Sequence, residues 1–256
     1  FASLMNMLDP TAIADPDNYG PDEIRGLFIR RFKKDIQDQV KGSFKEREIK
    51  RVRFSATEAE EEAFGTFVET KFTRIDQRAK AGELFKTTLE KALFSSPAAC
   101  LKSIDNRIKK INKENDPSFD NDISALNLLA EKVEAVTPQY FSKYQKLLHV
   151  IGDPFEGFGW TGKDAQDRLV IFTERIDTLN FLYDNLKKDL KLNDKQIEKL
   201  HGTLPDDDQQ RIVENFGKDE SPVRLLVASD VASEGINLHF LSHRMIHFDI
   251  PWSLMV

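Results

Sequence analysis

Two short apolar runs constrain this chain more than any other feature. Leu169-Val170-Ile171-Phe172 is unbroken, and Val223-Arg224-Leu225-Leu226-Val227-Ala228 has one interruption. A continuous apolar run of that length marks a strand buried on both faces, because a strand with one wet face alternates instead. Between the two runs, residues 175–190 carry Ile176, Leu179, Leu182, Leu186 and Leu190 on one side of a helical pattern. Ile197–His201 reads as a short strand that ends at Gly202. Pro205-Asp206-Asp207-Asp208 then opens a helix with acid in its first turn, where the helix dipole favours it. Met245-Ile246-His247-Phe248 is the last strand. Strands alternating with helices predict an α/β fold: a parallel sheet with flanking helices and right-handed crossovers. Ligands of such a sheet bind at the carboxyl ends of its strands.

The chain upstream has a different character. Pro10, Pro16 and Pro21 make the first 25 or so residues loop with short helical turns. Glu48-Ile49-Lys50-Arg51-Val52-Arg53-Phe54 alternates, which predicts a strand. Ser55-Ala56-Thr57-Glu58 has capping-box spacing and predicts a helix start. Phe64, Phe67, Val68, Phe72 and Ile75 recur at three- and four-residue steps, so they are expected on one face of that helix. Ser96-Pro97 starts another, with serine as cap and proline at the first helical position. Further helical patterns lie near 121–136 and 138–149, and Gly152-Asp153-Pro154 ends them. The predicted organisation is therefore 1–54, a mostly helical 55–150, and the α/β unit 151–256.

Composition narrows the class. Hydrophobic residues are 40% and charged residues 31%, which fits a soluble globular protein rather than a disordered one. No run approaches the roughly 20 apolar residues of a membrane span, so no membrane partner is expected. Cys100 is the only cysteine, which excludes an internal disulfide and reads as a reduced thiol in a cytoplasmic protein. It lacks an identifiable base, so packing is the expected role rather than nucleophilic attack. The chain starts at Phe1 and stops at Val256 within an apolar run, so both ends read as cut from a longer protein. A net charge of -6 means that any nucleic-acid contact must be local. Arg30, Arg31, Lys33 and Lys34 could supply it, as could the run from Lys41 to Arg53; both also fit a solvated face balanced by Asp35, Glu46 and Glu48.

The loops that follow the strands could carry chemistry. They are Thr173-Glu174-Arg175, His201-Gly202-Thr203, and Ser229-Asp230-Val231-Ala232-Ser233-Glu234-Gly235-Ile236-Asn237-Leu238. In the third, Gly235 allows close backbone approach and free N–H groups there could hold a phosphate. Gly235 could equally be a turn residue and Asp230 a turn cap. Gly157-Phe158-Gly159-Trp160-Thr161-Gly162-Lys163-Asp164 imitates a phosphate loop. It precedes a strand instead of following one, and Asp164 stands where a hydroxyl is needed, so that reading is set aside. His239, His243 and His247 are spaced by four, but His247 falls in a predicted strand, which argues against a metal face on a helix.

From Arg168 to Ser253 the order of these loops resembles the second lobe of superfamily-two helicases, in the Swi/Snf-like branch. Leu169–Glu174 resembles motif IV, Ser229–Leu238 resembles motif V, and Asp249-Ile250-Pro251-Trp252-Ser253 is similar to the strand exit before motif VI. His201-Gly202, followed by a helix with Arg211 and Phe216, resembles the segment between motifs IV and V. Leu27-Phe28-Ile29-Arg30-Arg31-Phe32-Lys33-Lys34-Asp35-Ile36 is similar to the twin-arginine segment of Swi/Snf-type proteins, and the combination points toward their bacterial, RNA-polymerase-associated-like branch. The resemblance implies a RecA-like lobe over 151–256, truncated before motif VI. It implies that 1–54 closes the first lobe and carries the twin-arginine linker, and that 55–150 is an insertion.

The same resemblance assigns roles. Thr173, His201, Gly202, Ser229 and Ser233 would touch the phosphates of duplex DNA, positioning without reading sequence. Asp230, Gly235 and Asn237 would couple nucleotide state to DNA grip, and Arg30 and Arg31 would support the interlobe region. Glu234 departs from the small residue often found at its position in eukaryotic relatives. ATP and magnesium would be bound by the full-length protein, mainly through the first lobe, while this fragment would bind neither tightly and would not hydrolyse ATP alone. Its partners would be duplex DNA, the first lobe, and a protein complex on DNA. The competing reading is a non-catalytic interaction module, favoured if Phe64, Phe67 and Phe72 face solvent. A freestanding nucleotide-binding enzyme is disfavoured, since no Gly-x-Gly-x-x-Gly follows the first strand of the α/β unit.

Overall fold

A computed structural model describes residues 1–28, 48–77, 80–229 and 241–249. The chain divides into two compact units, Phe1–Val52 and Arg53–Val256. In the first, helix α1 (Ala2–Leu8) is followed by a turn that Asn6 holds through two hydrogen bonds to the Ile13 backbone, each 2.9 Å.

The second unit opens with helices. Thr57 caps α2 (Glu58–Glu69) in a full capping box with Glu60. The cap therefore sits two residues beyond Ser55. The strand expected over 48–54 is absent: those residues have no regular structure. Its apolar members Ile49, Val52 and Phe54 are 68%, 46% and 49% exposed, so the alternation had no second face to bury against. The expected apolar face of α2 is corrected too. The helix buries Ala63 with Ala59 and Phe67 packed beside it, whereas Phe64 and Val68 are exposed. The helix ends at Glu69, so Phe72 is buried from the following loop and Ile75 from α3 (Arg74–Gln77).

Helix α4 (Lys80–Ser95) leads directly to α5 (Pro97–Asn112), where Ser96 accepts from the Ala99 N–H as predicted. A 3-10 turn (Pro117–Phe119) precedes α6 (Asp120–Glu134), and α7 (Ser142–Gly152) closes the helical region. Within α6, the buried Asp122 carboxylate accepts from three backbone N–H groups, those of Thr73, Arg74 and Ile75. It holds the start of α3 in place of a local cap.

The α/β part follows the predicted order: β1 (Arg168–Thr173), α8 (Ile176–Asp189), β2 (Ile197–Leu200), α9 (Asp206–Phe216), β3 (Leu225–Ser229) and β4 (Ser242–His247). The sheet is parallel with strand order β2-β3-β1-β4. Alternation along β1 divides the core. Leu169 and Ile171 join α8 and the helical region in one cluster, while Val170 and Phe172 pack with Ile212 and Phe216 of α9 on the other face. Arg168 is wholly buried where β1 begins; its guanidinium donates to the carbonyl of Phe216, the last residue of α9, and to those of Lys218 and Ser221 just past it. The Phe216 carbonyl lies at the negative end of the helix dipole, so a cation is favoured there.

A candidate nucleic-acid interface at the carboxyl edge of the sheet

The strand register gathers the loop residues at one edge. Thr173 of β1 stands opposite Ser229 of β3. Leu200 of β2 pairs with Ala228, so His201 leaves the sheet beside Ser229. The Phe248 N–H donates to the Phe172 carbonyl at 2.8 Å, which brings Asp249 to the same edge. Residues 20 to 76 positions apart in sequence thus converge because parallel strands all end on one side.

What these residues present differs from one to the next. His201 is half-buried, with Nδ1 2.8 Å from the Thr203 hydroxyl. When that hydroxyl donates, Nε2 carries the proton and can donate outward. Burial and the nearby Lys199 hold the His201 pKa below its ordinary value, so the ring is neutral at pH 7. Gly202 and Thr203 are exposed. These offer hydrogen bonds to a phosphate without a fixed positive charge.

Thr173 and Ser229 lie deeper than the other expected contacts. Both are buried, at 1% and 3% exposure, because each ends a strand flanked by neighbours. The Thr173 hydroxyl donates to Asp249 Oδ2 at 2.5 Å, so its side chain is committed inward. The exposed member of that loop is Glu174. Arg175, half-buried, donates to the Ser103 hydroxyl of α5 at 2.9 Å. Ser233, Asp230, Gly235 and Asn237, with Glu234, lie outside the described residues, as do Arg30 and Arg31.

The polar centre of this edge is Asp249, which the sequence pattern marked only as part of a strand exit. The residue is 8% exposed. Oδ2 accepts from Thr173, from the Glu174 N–H at 3.0 Å and from the Ser95 hydroxyl at 3.0 Å, and Oδ1 pairs with Lys143 Nζ at 2.7 Å. Burial pushes the Asp249 pKa up, but Lys143, Thr173 and Glu174 together hold it below the usual carboxylate range. Burial lowers the Lys143 pKa, and Asp249 opposes that shift. The Ser95 and Ser96 hydroxyls meet Thr178 Oγ1 at 2.6 and 2.7 Å. An acid directly after the last predicted strand was the one available signal; Lys143, Ser95 and Thr178 had none.

Other candidates resolve simply. The glycine-rich segment is a turn wrapped on the end of α7, not a phosphate cradle. The N–H groups of Phe158 and Trp160 donate to Val150 and Ile151 at 2.7 and 2.8 Å, and those of Gly157 and Gly159 both donate to Asp153. His243 and His247 lie on one face of strand β4, about 13 Å apart at strand rise, too far to share one ion. His239 is outside the described residues. Cys100 is fully buried and its thiol is pushed up to about 12 by that burial, consistent with packing. Of the three phenylalanines that test the interaction-module reading, only Phe64 is exposed; Phe67 is half-buried and Phe72 buried.

A parallel sheet covered on both faces, with its polar loops on one edge, is a RecA-like α/β lobe. The structure aligns over 93% of this chain, and 58% of the other, with the Pyrococcus furiosus Hef helicase domain, at a TM-score of 0.51 and 14% identity. Residues 142–256 match the family model "Helicase conserved C-terminal domain". Curated relatives are similar in part. The probable ATP-dependent RNA helicase DDX43 of Homo sapiens is 34% identical over 87 residues, 34% of this chain and 12% of that protein. The ATP-dependent RNA helicase RhlB of Pseudomonas syringae is 31% identical over 140 residues, 53% and 30% respectively. The SNF2 domain-containing protein CLASSY 4 of Arabidopsis thaliana is 31% identical over 91 residues, 35% and 8%. The chain thus spans less than a third of the length of each of these relatives. Among the described residues, no helix is long and apolar enough to cross a membrane.

Proposed function

We propose that this chain supplies the second lobe of a two-lobed ATP-dependent nucleic-acid motor, and that the motor is a Swi/Snf-type translocase on duplex DNA. The observation that carries the reading is the shared carboxyl edge. Three loops, each expected from the resemblance to touch phosphates, leave the sheet side by side. The helicase C-terminal family match supports the motor class, and the SNF2-named relative together with the twin-arginine segment supports the Swi/Snf branch. In this reading the exposed Gly202 and the neutral His201 contact the DNA backbone, Thr173 and Ser229 shape the loops from beneath, and Asp230, Ser233, Gly235 and Asn237 complete grip and coupling. Arg30 and Arg31 support the interlobe region.

ATP and magnesium belong to the full-length motor. The glycine-rich segment of this chain does not fit a phosphate group, because the N–H groups of its first four residues, Gly157 to Trp160, are taken by α7 and Asp153, so no step of hydrolysis is assigned to it. The first lobe supplies the nucleotide cradle, and this chain alone hydrolyses almost no ATP. A second reading has direct support: DDX43 and RhlB are named RNA helicases, so the same edge would grip RNA.

The test is the ATPase rate of a full-length protein carrying this lobe, with duplex DNA or RNA of equal length. Stronger stimulation by duplex DNA supports the translocase; preference for RNA transfers the lobe to RNA helicases. Silence with both would favour the interaction module. His201→Ala should weaken binding about equally across sequences, as loss of a phosphate contact does.

A further inference from the structure

We infer that Lys143 is a positioning residue through which the helical region holds the β1 exit loop in its gripping geometry. The inference rests on reading the carboxyl edge as a nucleic-acid interface. Lys143 lies in the first turn of α7 with its side chain 15% exposed. Its ammonium donates to Asp249 Oδ1 at 2.7 Å, to the Phe94 carbonyl at 3.0 Å and to the Ser95 carbonyl at 3.3 Å. Three contacts match its three protons, so the group ties α7, the end of α4 and the end of β4 to one point. It also sits 4.2 Å from the centre of the Phe248 ring.

Asp249 passes that position on. Its two oxygens divide their work: Oδ1 faces Lys143, while Oδ2 takes the Thr173 hydroxyl, the Glu174 N–H and the Ser95 hydroxyl. The carboxylate is rigid and planar, so moving Lys143 turns the oxygen that holds the loop. Ser95 and Ser96 anchor Thr178 in the first turn of α8, the helix that the same loop enters. A buried ion pair is a poor way to gain stability, since a well-packed apolar pair of similar volume often does as well. What the pair adds here is direction, a carboxylate aimed at one backbone N–H. Displacement of the helical region, by nucleic acid or by a protein bound to it, would therefore reach the loop beside His201 and Ser229.

The experiment compares wild type, Lys143→Met and Lys143→Arg in a full-length protein carrying this lobe, by amide hydrogen exchange and by ATPase titration with duplex DNA. In Lys143→Met the Glu174 amide should exchange at least about tenfold faster while amides within β1 and α6 stay protected. The half-stimulating DNA concentration should rise more than the maximal rate falls, and Lys143→Arg should restore both. Unchanged exchange at Glu174, or a fall in maximal rate alone, overturns the proposal. Should Lys143→Met accelerate exchange throughout, Ser95→Ala decides: a selective rise at Glu174 upholds the relay and no change overturns it. If wild type itself is not stimulated by nucleic acid, the motor reading fails, and the exchange measurement still decides whether Lys143 holds the loop.

Discussion

Replacing Asp122 by alanine should cost about 4 kcal/mol, on the following grounds. The side chain is 0% exposed in the first turn of α6 and accepts from Thr73, Arg74 and Ile75 at 2.5, 3.0 and 2.8 Å. Alanine leaves all three donors without that acceptor. A buried, unsatisfied N–H costs about 1–3 kcal/mol. The Ile75 N–H is buried and takes the middle of that range, while the other two are partly wet and take its lower end. For a chain of this size, about 4 kcal/mol corresponds to a fall in melting temperature of roughly 8–16 °C. Asp122→Asn keeps one acceptor oxygen but turns an NH2 toward donors, so it should lose about half as much. Urea unfolding of the 256-residue chain measures both, provided the denaturant slope is unchanged. An alanine variant within about 1 kcal/mol of wild type would refute the argument, because it would mean that water or a neighbour satisfies those donors at no cost.

Two further outcomes follow from the same geometry. Gly157→Ala places a Cβ 2.4 Å from the Val150 carbonyl oxygen and 2.8 Å from those of Asp153 and His149, all of them backbone. It should cost at least about 2 kcal/mol, read as a lowered melting temperature, whereas Gly65→Ala, which meets nothing within 4 Å, should not. Asp249 makes stability depend on acid. Its folded pKa lies below the ordinary aspartate value of about 3.9, so its contribution is complete above that value and is lost as pH falls through the folded pKa. Urea midpoints taken from pH 5 down to pH 3 and below should fall more steeply for wild type than for Asp249→Asn; parallel curves would remove Asp249 as the cause.

The parallel sheet was legible because each of its strands is local. Leu169–Phe172 and the Val223–Ala228 run carry their own burial signal, and the intervening helix carries its own apolar stripe with Leu179, Leu182 and Leu186 fully buried. Ser96-Pro97 was legible for the same reason, since cap and helix are adjacent. Misreadings arose where a local pattern needed a distant partner. The alternation of 48–54 resembles a strand, but pairing, not alternation, makes one. The period from Phe64 to Ile75 ran through a helix end, because β-extended backbone at Thr70 stops α2 before Phe72. Lys143, Ser95 and Thr178 escaped notice altogether, since their polar contacts with one another or with Asp249 span 48 to 154 residues.

The helical region is better understood as part of the lobe than as an appendage to it. One face of the sheet is covered by α9, and the residues of the other share a single cluster with α8 and helices α2 to α7. Leu169 and Ile171 belong to the same core as Leu126, Tyr144 and Ile151. A core of that kind is close-packed and transmits displacement rather than absorbing it. Apolar contact alone, however, leaves the exit loops unspecified, because it has no preferred direction. The polar cluster around Asp249 supplies direction at the point where that core meets the carboxyl edge. Residues before the sheet and residues at its last described strand are therefore joined where the proposed grip begins, and the described residues that share that core act as one mechanical unit.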